Sequence, residues 1–291
     1  MWEVLWHSAS HALQDSAKLL PFLFLTYLLM EILEKKAGEK AEDAVRRAGR
    51  FGPLWGGLLG AVPQCGFSAA ASSLYAARVL TVGTLLAVFL STSDEMVPIM
   101  LAATAGGQTN LGVMFQILGA KVLIGLVSGF AVDAVVSGVF RRRHAMEIHH
   151  HCEQEHCDCE SGVWKSALLH TVKIFAYLVL FTFAINLAIE LIGENTVAGW
   201  LNDLPVVGVL VAALIGMIPN CAASVLVTRL YIDGILSTGG MLAGLLTGAG
   251  VGLLVLFRLN RRPKENLLIT LGLYALGVGW GLLFDLLGVV F

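Results

Sequence analysis

Two short stretches put a thiol where a long apolar helix should be most regular. "VPQCGFS" at 62–68 contains Pro63, Gln64, Cys65 and Ser68, and "IPNCAAS" at 218–224 contains Pro219, Asn220, Cys221 and Ser224. A proline removes one backbone donor and frees the carbonyl one turn earlier, so each stretch is expected to break its helix. In hydrocarbon such a break is tolerated only where protein or a watery cavity surrounds it. Thiolate is a soft ligand suited to soft metals and thiophilic metalloids. The amide before each cysteine and the hydroxyl three residues after it can replace the hydration of an ion or of a neutral hydroxide species. A single buried Pro-x-Cys is more often inert packing. Two of them in register ask for a function.

The register is long. A shift of 156 positions carries Pro63 to Pro219, Gln64 to Asn220, Cys65 to Cys221 and Ser68 to Ser224. The same shift carries Ser72 to Thr228, Leu74-Tyr75 to Leu230-Tyr231, Gly83 to Gly239 and Ser91 to Thr247. Ser91 and Thr247 therefore join the candidate substrate-binding set. The chain divides into a first membrane repeat over 1–140, a linker over 141–163 and a second membrane repeat over 164–291.

Asp94 and Glu95, in "STSDE" at 91–95, form a second constellation. Adjacent carboxylates within an apolar run are expensive and mark function by default. They are candidates for proton coupling or for oxygen ligation of a divalent cation. Lys121 lies inside the apolar run 111–140 and is a candidate partner for them, or a snorkelling residue. The linker forms the third. His149, His150, His151, Cys152, His156, Cys157 and Cys159 crowd seven ligand side chains into one short polar stretch. Such His/Cys tracts bind zinc, copper and similar ions, although this spacing fits no single zinc fold.

The elements that must position these residues are membrane helices. Of 291 residues 57% are hydrophobic and only 14% charged, with 32 glycines, and the mean hydropathy is +0.78. Soluble domains carry roughly 25% charged residues. The long apolar runs do not alternate with period two, which excludes a membrane β-barrel. The expected fold is an all-α polytopic membrane protein of two inverted-topology repeats with broken helices and re-entrant hairpins, about ten helical segments in all.

Basic residues gather at 35–50, at "RRR" 141–143 and at "RLNRRPK" 258–264, whereas loop 193–204 has none. The positive-inside rule puts the first three in the cytoplasm, the linker with them, and both termini outside. On this count residues 53–76 cross the membrane, while 79–109 and its counterpart 235–257 enter and leave by one face as hairpins. Only Arg78 falls on the wrong side of that scheme.

Inverted repeats with helix breaks meeting at mid-depth suit a secondary transporter. No nucleotide-binding loop is present, so the energy source is expected to be an ion gradient, with protons first. No basic stripe suggests nucleic acid, and no cofactor is expected: the metal or metalloid ion is substrate. Two other classes use the same residues. An intramembrane thiol oxidoreductase would use Cys65 and Cys221, but no C-x-x-C pair accompanies them. A metal sensor built on the linker would need an output domain. Glycine spacings also permit close helix contacts, and with them a homo-oligomer.

With "VPQCGFS", "IPNCAAS", "STSDE" and the His/Cys-rich loop in view, the chain resembles the ten-helix heavy-metal exporter family, itself loosely related to permeases that export trivalent arsenicals. The resemblance extends over nearly the whole chain. It implies efflux of a heavy metal or metalloid across a prokaryotic cytoplasmic membrane, with Cys65 and Cys221 as substrate-site candidates. Some relatives handle manganese, so a divalent-cation exporter using oxygen ligands around Asp94 and Glu95 stands as the alternative.

Overall fold

The computed structural model describes residues 51–63, 66–93, 96–139 and 205–291, together with isolated helical positions between 10 and 28 and between 168 and 183. Among the described residues there is helix and no strand. The first half contributes α1 (Gly52–Gly60), α2 (Gly66–Ala76), α3 (Val82–Ser91), α4 (Met96–Ala105) and α5 (Leu111–Val139). The second contributes α6 (Pro205–Gly216), α7 (Cys221–Ile232), α8 (Thr238–Thr247), α9 (Val251–Leu259) and α10 (Pro263–Leu286).

Local signals explain the boundaries. Pro53 and Pro263 open α1 and α10, where a missing donor costs nothing. The Thr81 hydroxyl caps α3 by accepting from the Thr84 amide at 3.1 Å, and Ser237 caps α8 by accepting from the Gly240 amide at 3.0 Å. α3 ends where Thr92 turns to ψ 128°. The α8–α9 break passes through Gly250 at φ 53°, ψ −140°, a conformation open to glycine. Buried hydroxyls in the helices bond back to carbonyls four residues earlier, as Ser72, Ser73 and Thr92 do, so none is left bare in an apolar setting.

Packing sets the direction of each segment. Cβ atoms built on Gly52 and Gly60 would strike Thr84 and Ser91, so α1 and α3 run parallel, start beside start. Gly83 lies against Gly129 and Asp133, and Gly125 against Ser91, so α3 runs antiparallel to the second half of α5. α2 returns to the face from which α1 entered, because Arg78 just beyond it lies four residues before the start of α3. Residues 52–76 therefore form the re-entrant hairpin. Residues 82–105 cross, with α4 ending opposite to where α3 began. This reverses the sequence-based assignment of 53–76 as crossing and 79–109 as hairpin. The second half behaves likewise. Gly216 packs on Gly244 and Thr247, Gly239 on Gly281 and Asp285. Residues 205–232 make the hairpin and 238–259 cross.

The reason the sequence misled is that both segments are apolar, long and interrupted. Small residues decide between them. Glycines at 52, 56 and 60 let α1 lie directly on α3, and a glycine pair brings each crossing helix onto its neighbour: Gly83 on Gly129, Gly239 on Gly281. The span Thr238–Leu259 is 89% buried and Pro263–Leu286 only 22%. The broken crossings lie inside and the unbroken α5 and α10 face outward, where irregular backbone would be costly. At 29 residues α5 is about 43 Å long, enough to cross a bilayer.

The halves share one core. Leu85, Leu86 and Phe89 of α3 belong to the same cluster as Ala212, Leu242, Leu245 and Leu273. Between the halves, α2 packs on α9 and α4 on α7. Because α2 and α9 both end near Arg78 and Asn260, while α4 and α7 end around a cavity at the other face, the hairpins enter from opposite faces.

Candidate functional site

The two hairpin tips lie against the breaks of the crossing helices. Gly60 abuts Ser91 at the end of α3, and Gly216 abuts Thr247 at the end of α8. Next to the second tip is a small, partly enclosed cavity of about 10 Å³, room for about one water, lined by Thr92, Ser93, Met96, Lys121, Asn220 and Ser224 with Gly216, Leu245, Gly248 and Gly250. Both halves build it.

Lys121 is fully buried on α5. Its Nζ donates to the carbonyl of Thr92, just beyond α3, and to the carbonyl of Leu245 in the last turn of α8 at 2.9 Å. Asn220 is 4% exposed and stands immediately before α7, at the tip that Pro219 helps to break. Three residues singled out from sequence, Lys121, Asn220 and Ser224, are thus brought to one cavity.

Other candidates are placed elsewhere. Ser91 Oγ donates to the carbonyls of Ala87 (2.8 Å) and Val88 (3.1 Å). Thr247 Oγ1 donates to Ala213 at 2.8 Å and Ala243 at 3.0 Å. The Thr247 hydroxyl ties hairpin to crossing helix through Ala213, whereas the bonds of Ser91 stay within α3, and both residues are absent from the cavity lining. Ser68 is buried in α2, beside Gly252 of the other half. Pro63 is exposed at the end of the first tip. Cys221 opens α7. Gln64, Cys65, Asp94, Glu95 and the linker ligands His149, His150, His151, Cys152, His156, Cys157 and Cys159 lie outside the described residues. Among the described residues there is no cluster of three or more His, Cys, Asp or Glu.

Sequence reasoning missed Thr92, Ser93, Met96, Gly248 and Gly250 in the cavity wall. It also missed a polar network at the face where α2 ends. Arg78 Nη1 and Nη2 donate to Glu265 Oε1 and Oε2, and Nη2 also to Asn260 Oδ1 at 3.2 Å. The Tyr75 hydroxyl donates to Glu265 Oε1, and Asn260 Nδ2 donates to Asn266 Oδ1 at 2.7 Å. The available signal was Arg78 itself, the basic residue that fitted no loop. At the opposite face Gly107, Gln108, Asn110, Tyr231, Ser237 and Asp285 are among the residues around an open cavity of about 820 Å³.

The arrangement offers carbonyl, amide, hydroxyl and ammonium groups at mid-depth, with one face clamped and the other open. No curated protein and no solved structure matches the chain. The family described as "Putative, 10TM heavy-metal exporter" matches residues 3–192, well over half of the sequence. Among the described residues, four apolar helical spans long enough to cross a bilayer agree with a multi-pass membrane protein. The chain belongs to this family of ten-span heavy-metal exporters.

Proposed function

We propose that this chain is a secondary transporter that carries a heavy-metal or metalloid ion out of the cytoplasm, binding it at mid-depth between the two Pro-x-Cys breaks and exchanging it for protons. The observation that carries the reading is the matched pair of hairpins: each tip abuts the break of the neighbouring crossing helix, at Gly60–Ser91 and Gly216–Thr247. Sites between such repeats, fed by interrupted helices, are where secondary transporters hold substrate. Cys65 and Cys221 are assigned to the substrate as soft ligands, Gln64, Asn220, Ser68 and Ser224 as their polar neighbours, and Asp94 and Glu95 to proton exchange. The linker ligands collect metal ahead of transport without being required for it.

Sidedness follows from charge. Arg78, Arg258, Arg261, Arg262 and Lys264 lie at or near the face where α2 and α9 end, and only Arg229 among the described residues lies towards the other. The positive-inside rule makes the first face cytoplasmic, and Arg78 then joins the other basic residues. On this reading the clamp around Glu265 closes the cytoplasmic side, and the 820 Å³ cavity is the outer vestibule.

The test is flux in reconstituted vesicles under an imposed pH gradient, with arsenite, Mn, Zn, Cd and Cu offered in turn. Flux should be abolished by Cys65→Ala or Cys221→Ala and retained when 149–159 is deleted. A fully folded protein that moves none of these ions would overturn the proposal.

A further inference from the structure

The place occupied by the Lys121 ammonium has a chemistry of its own. α3 enters from one face and α8 from the other, and both end at mid-depth. The last four carbonyls of a helix lack partners within it, and they carry the negative end of its dipole. The Leu245 carbonyl is one of these, for the Ala249 amide that would reach back to it bonds to Thr247 instead, at 2.8 Å. Thr92, the first residue beyond α3, has turned to ψ 128° and aims its own carbonyl at the same ammonium. One carbonyl from each half thus converges on one point, one of them at the negative end of a half-helix, and a fully buried ammonium sits there.

The fold does not demand a lysine here. In the α5–α10 correspondence that pairs Gly125 with Gly277, both packed on the end of a broken helix, Lys121 pairs with Leu273, also fully buried. One repeat packs the position with hydrocarbon, and the other puts a positive charge in it. The adjoining cavity adds the polar groups of Thr92, Ser93, Asn220 and Ser224.

We infer that the point between the Thr92 and Leu245 carbonyls is a monovalent-cation site, with Lys121 as its tethered occupant. Carbonyl oxygens can replace hydration waters of potassium, the polar lining of Ser93, Asn220 and Ser224 adds further oxygens, and the potassium ion and the ammonium group are of similar size. Removing the side chain but not the carbonyls leaves a site for free potassium. The inference rests on the transporter reading above and adds to it: a chain that carries its own cation needs no monovalent ion to fill this site in any transport cycle.

The test reads binding, so it stands whether or not flux is ever found. Full-length protein in lipid nanodiscs is melted in potassium chloride and in choline chloride of equal ionic strength. Wild type should melt alike in both salts. Lys121→Ala should melt about 3 °C higher in roughly 200 mM potassium than in choline, with a saturable dependence. Lys121→Met fills the space without charge and should show no potassium response. Equal melting of Lys121→Ala in the two salts overturns the site. So does an equal response in Lys121→Met, or a Lys121→Ala chain that fails to fold in either salt.

Discussion

Arg78 and Glu265 lock two halves of the chain together at one face: the guanidinium beyond the end of α2 binds both carboxylate oxygens at the start of α10. The Arg78 side chain is 4% exposed and that of Glu265 is 23% exposed. Burial alone would lower the guanidinium's pKa, but hydrogen bonds and charge from Glu265 raise it instead, so Arg78 stays charged. Its backbone sits at φ 62°, a left-handed conformation that disfavours a long side chain, and the corresponding turn of the second half has Gly234 at φ 72°. The strain is tolerated at Arg78 for the sake of the ion pair. Glu265→Gln leaves a buried guanidinium without its counter-charge and should destabilise the protein by about 3 kcal/mol. Arg78→Met leaves Glu265 partly hydrated and bonded to Tyr75, so its effect should be smaller, about 1–2 kcal/mol. Chemical denaturation of both variants checks the order. Equal effects, or none, would show that the pair is not the lock.

A clamp at one face and a vestibule at the other imply a conformational bias. If the Arg78–Glu265 pair holds the basic face shut, weakening it should shift the population toward closure of the vestibule. A cysteine in place of the exposed Gln108, at the vestibule rim, should then react with a membrane-impermeant maleimide several-fold more slowly in the Glu265→Gln background. Unchanged labelling would separate the clamp from any gating role.

The aspartates Asp133 and Asp285 act as matched ties. Asp133 accepts from the Gly83 amide at 2.8 Å and from the Thr81 hydroxyl at 2.7 Å. Asp285 accepts from the Gly239 amide at 2.7 Å and from the Ser237 hydroxyl at 2.8 Å. Each satisfies the orphan donors at the start of a crossing helix from the helix that packs on it. Asp133→Ala and Asp285→Ala should each cost about 1–2 kcal/mol. Since the two ties sit at opposite faces, the double variant should show the sum of the single effects. Thermal melts of the three variants test this, and strong non-additivity would mean the halves unfold as a more tightly coupled unit.

Glycine contacts make a sharper demand. A Cβ on Gly83 would collide with the Gly129 carbonyl, and one on Gly239 with the Gly281 carbonyl. Backbone cannot rotate aside as a flexible side chain can. Gly83→Ala and Gly239→Ala should each cost about 2–3 kcal/mol by forcing paired helices apart. A melting temperature within one degree of wild type for either would refute the close packing.

Much of this architecture was legible in the sequence, and the boundary of legibility is physical. The offset between Pro63 and Pro219 announced paired broken helices, because a proline in an apolar run has a local effect. Lys121 was recognisable as a candidate from its charge in an apolar run, and Asn220 and Ser224 from their places beside Cys221 in the repeated motif, and the three line one cavity. Which interrupted segment crosses was not legible. Residues 53–76 and 79–109 are both apolar and interrupted, and the glycine contacts of α1 on α3 show which one turns back. Arg78 showed the error in advance: a basic residue that contradicts the charge rule fits once 52–76 turns back. Nor could sequence tell which hydroxyl residues line the cavity, since Ser91 and Ser224 differ in their neighbours rather than in their chemistry.

That last distinction can be tested in one set of variants. Asn220 and Ser224 line the cavity, whereas Ser91 and Thr247 spend their hydroxyls on the carbonyls of Ala87, Val88, Ala213 and Ala243. Interhelical hydrogen bonds in membrane proteins are worth about 0.6–1.7 kcal/mol. Thr247→Val should therefore lose stability of that order, through its bond to Ala213, while leaving the substrate concentration for half-maximal flux unchanged. Ser91→Ala, whose bonds stay within α3, should lose less. Asn220→Ala removes a buried amide at the hairpin tip and should raise that concentration about tenfold. An Asn220→Ala protein with unaltered flux at every substrate concentration would move the binding site away from this cavity, and raised half-maximal concentrations in Thr247→Val would bring that hydroxyl into it.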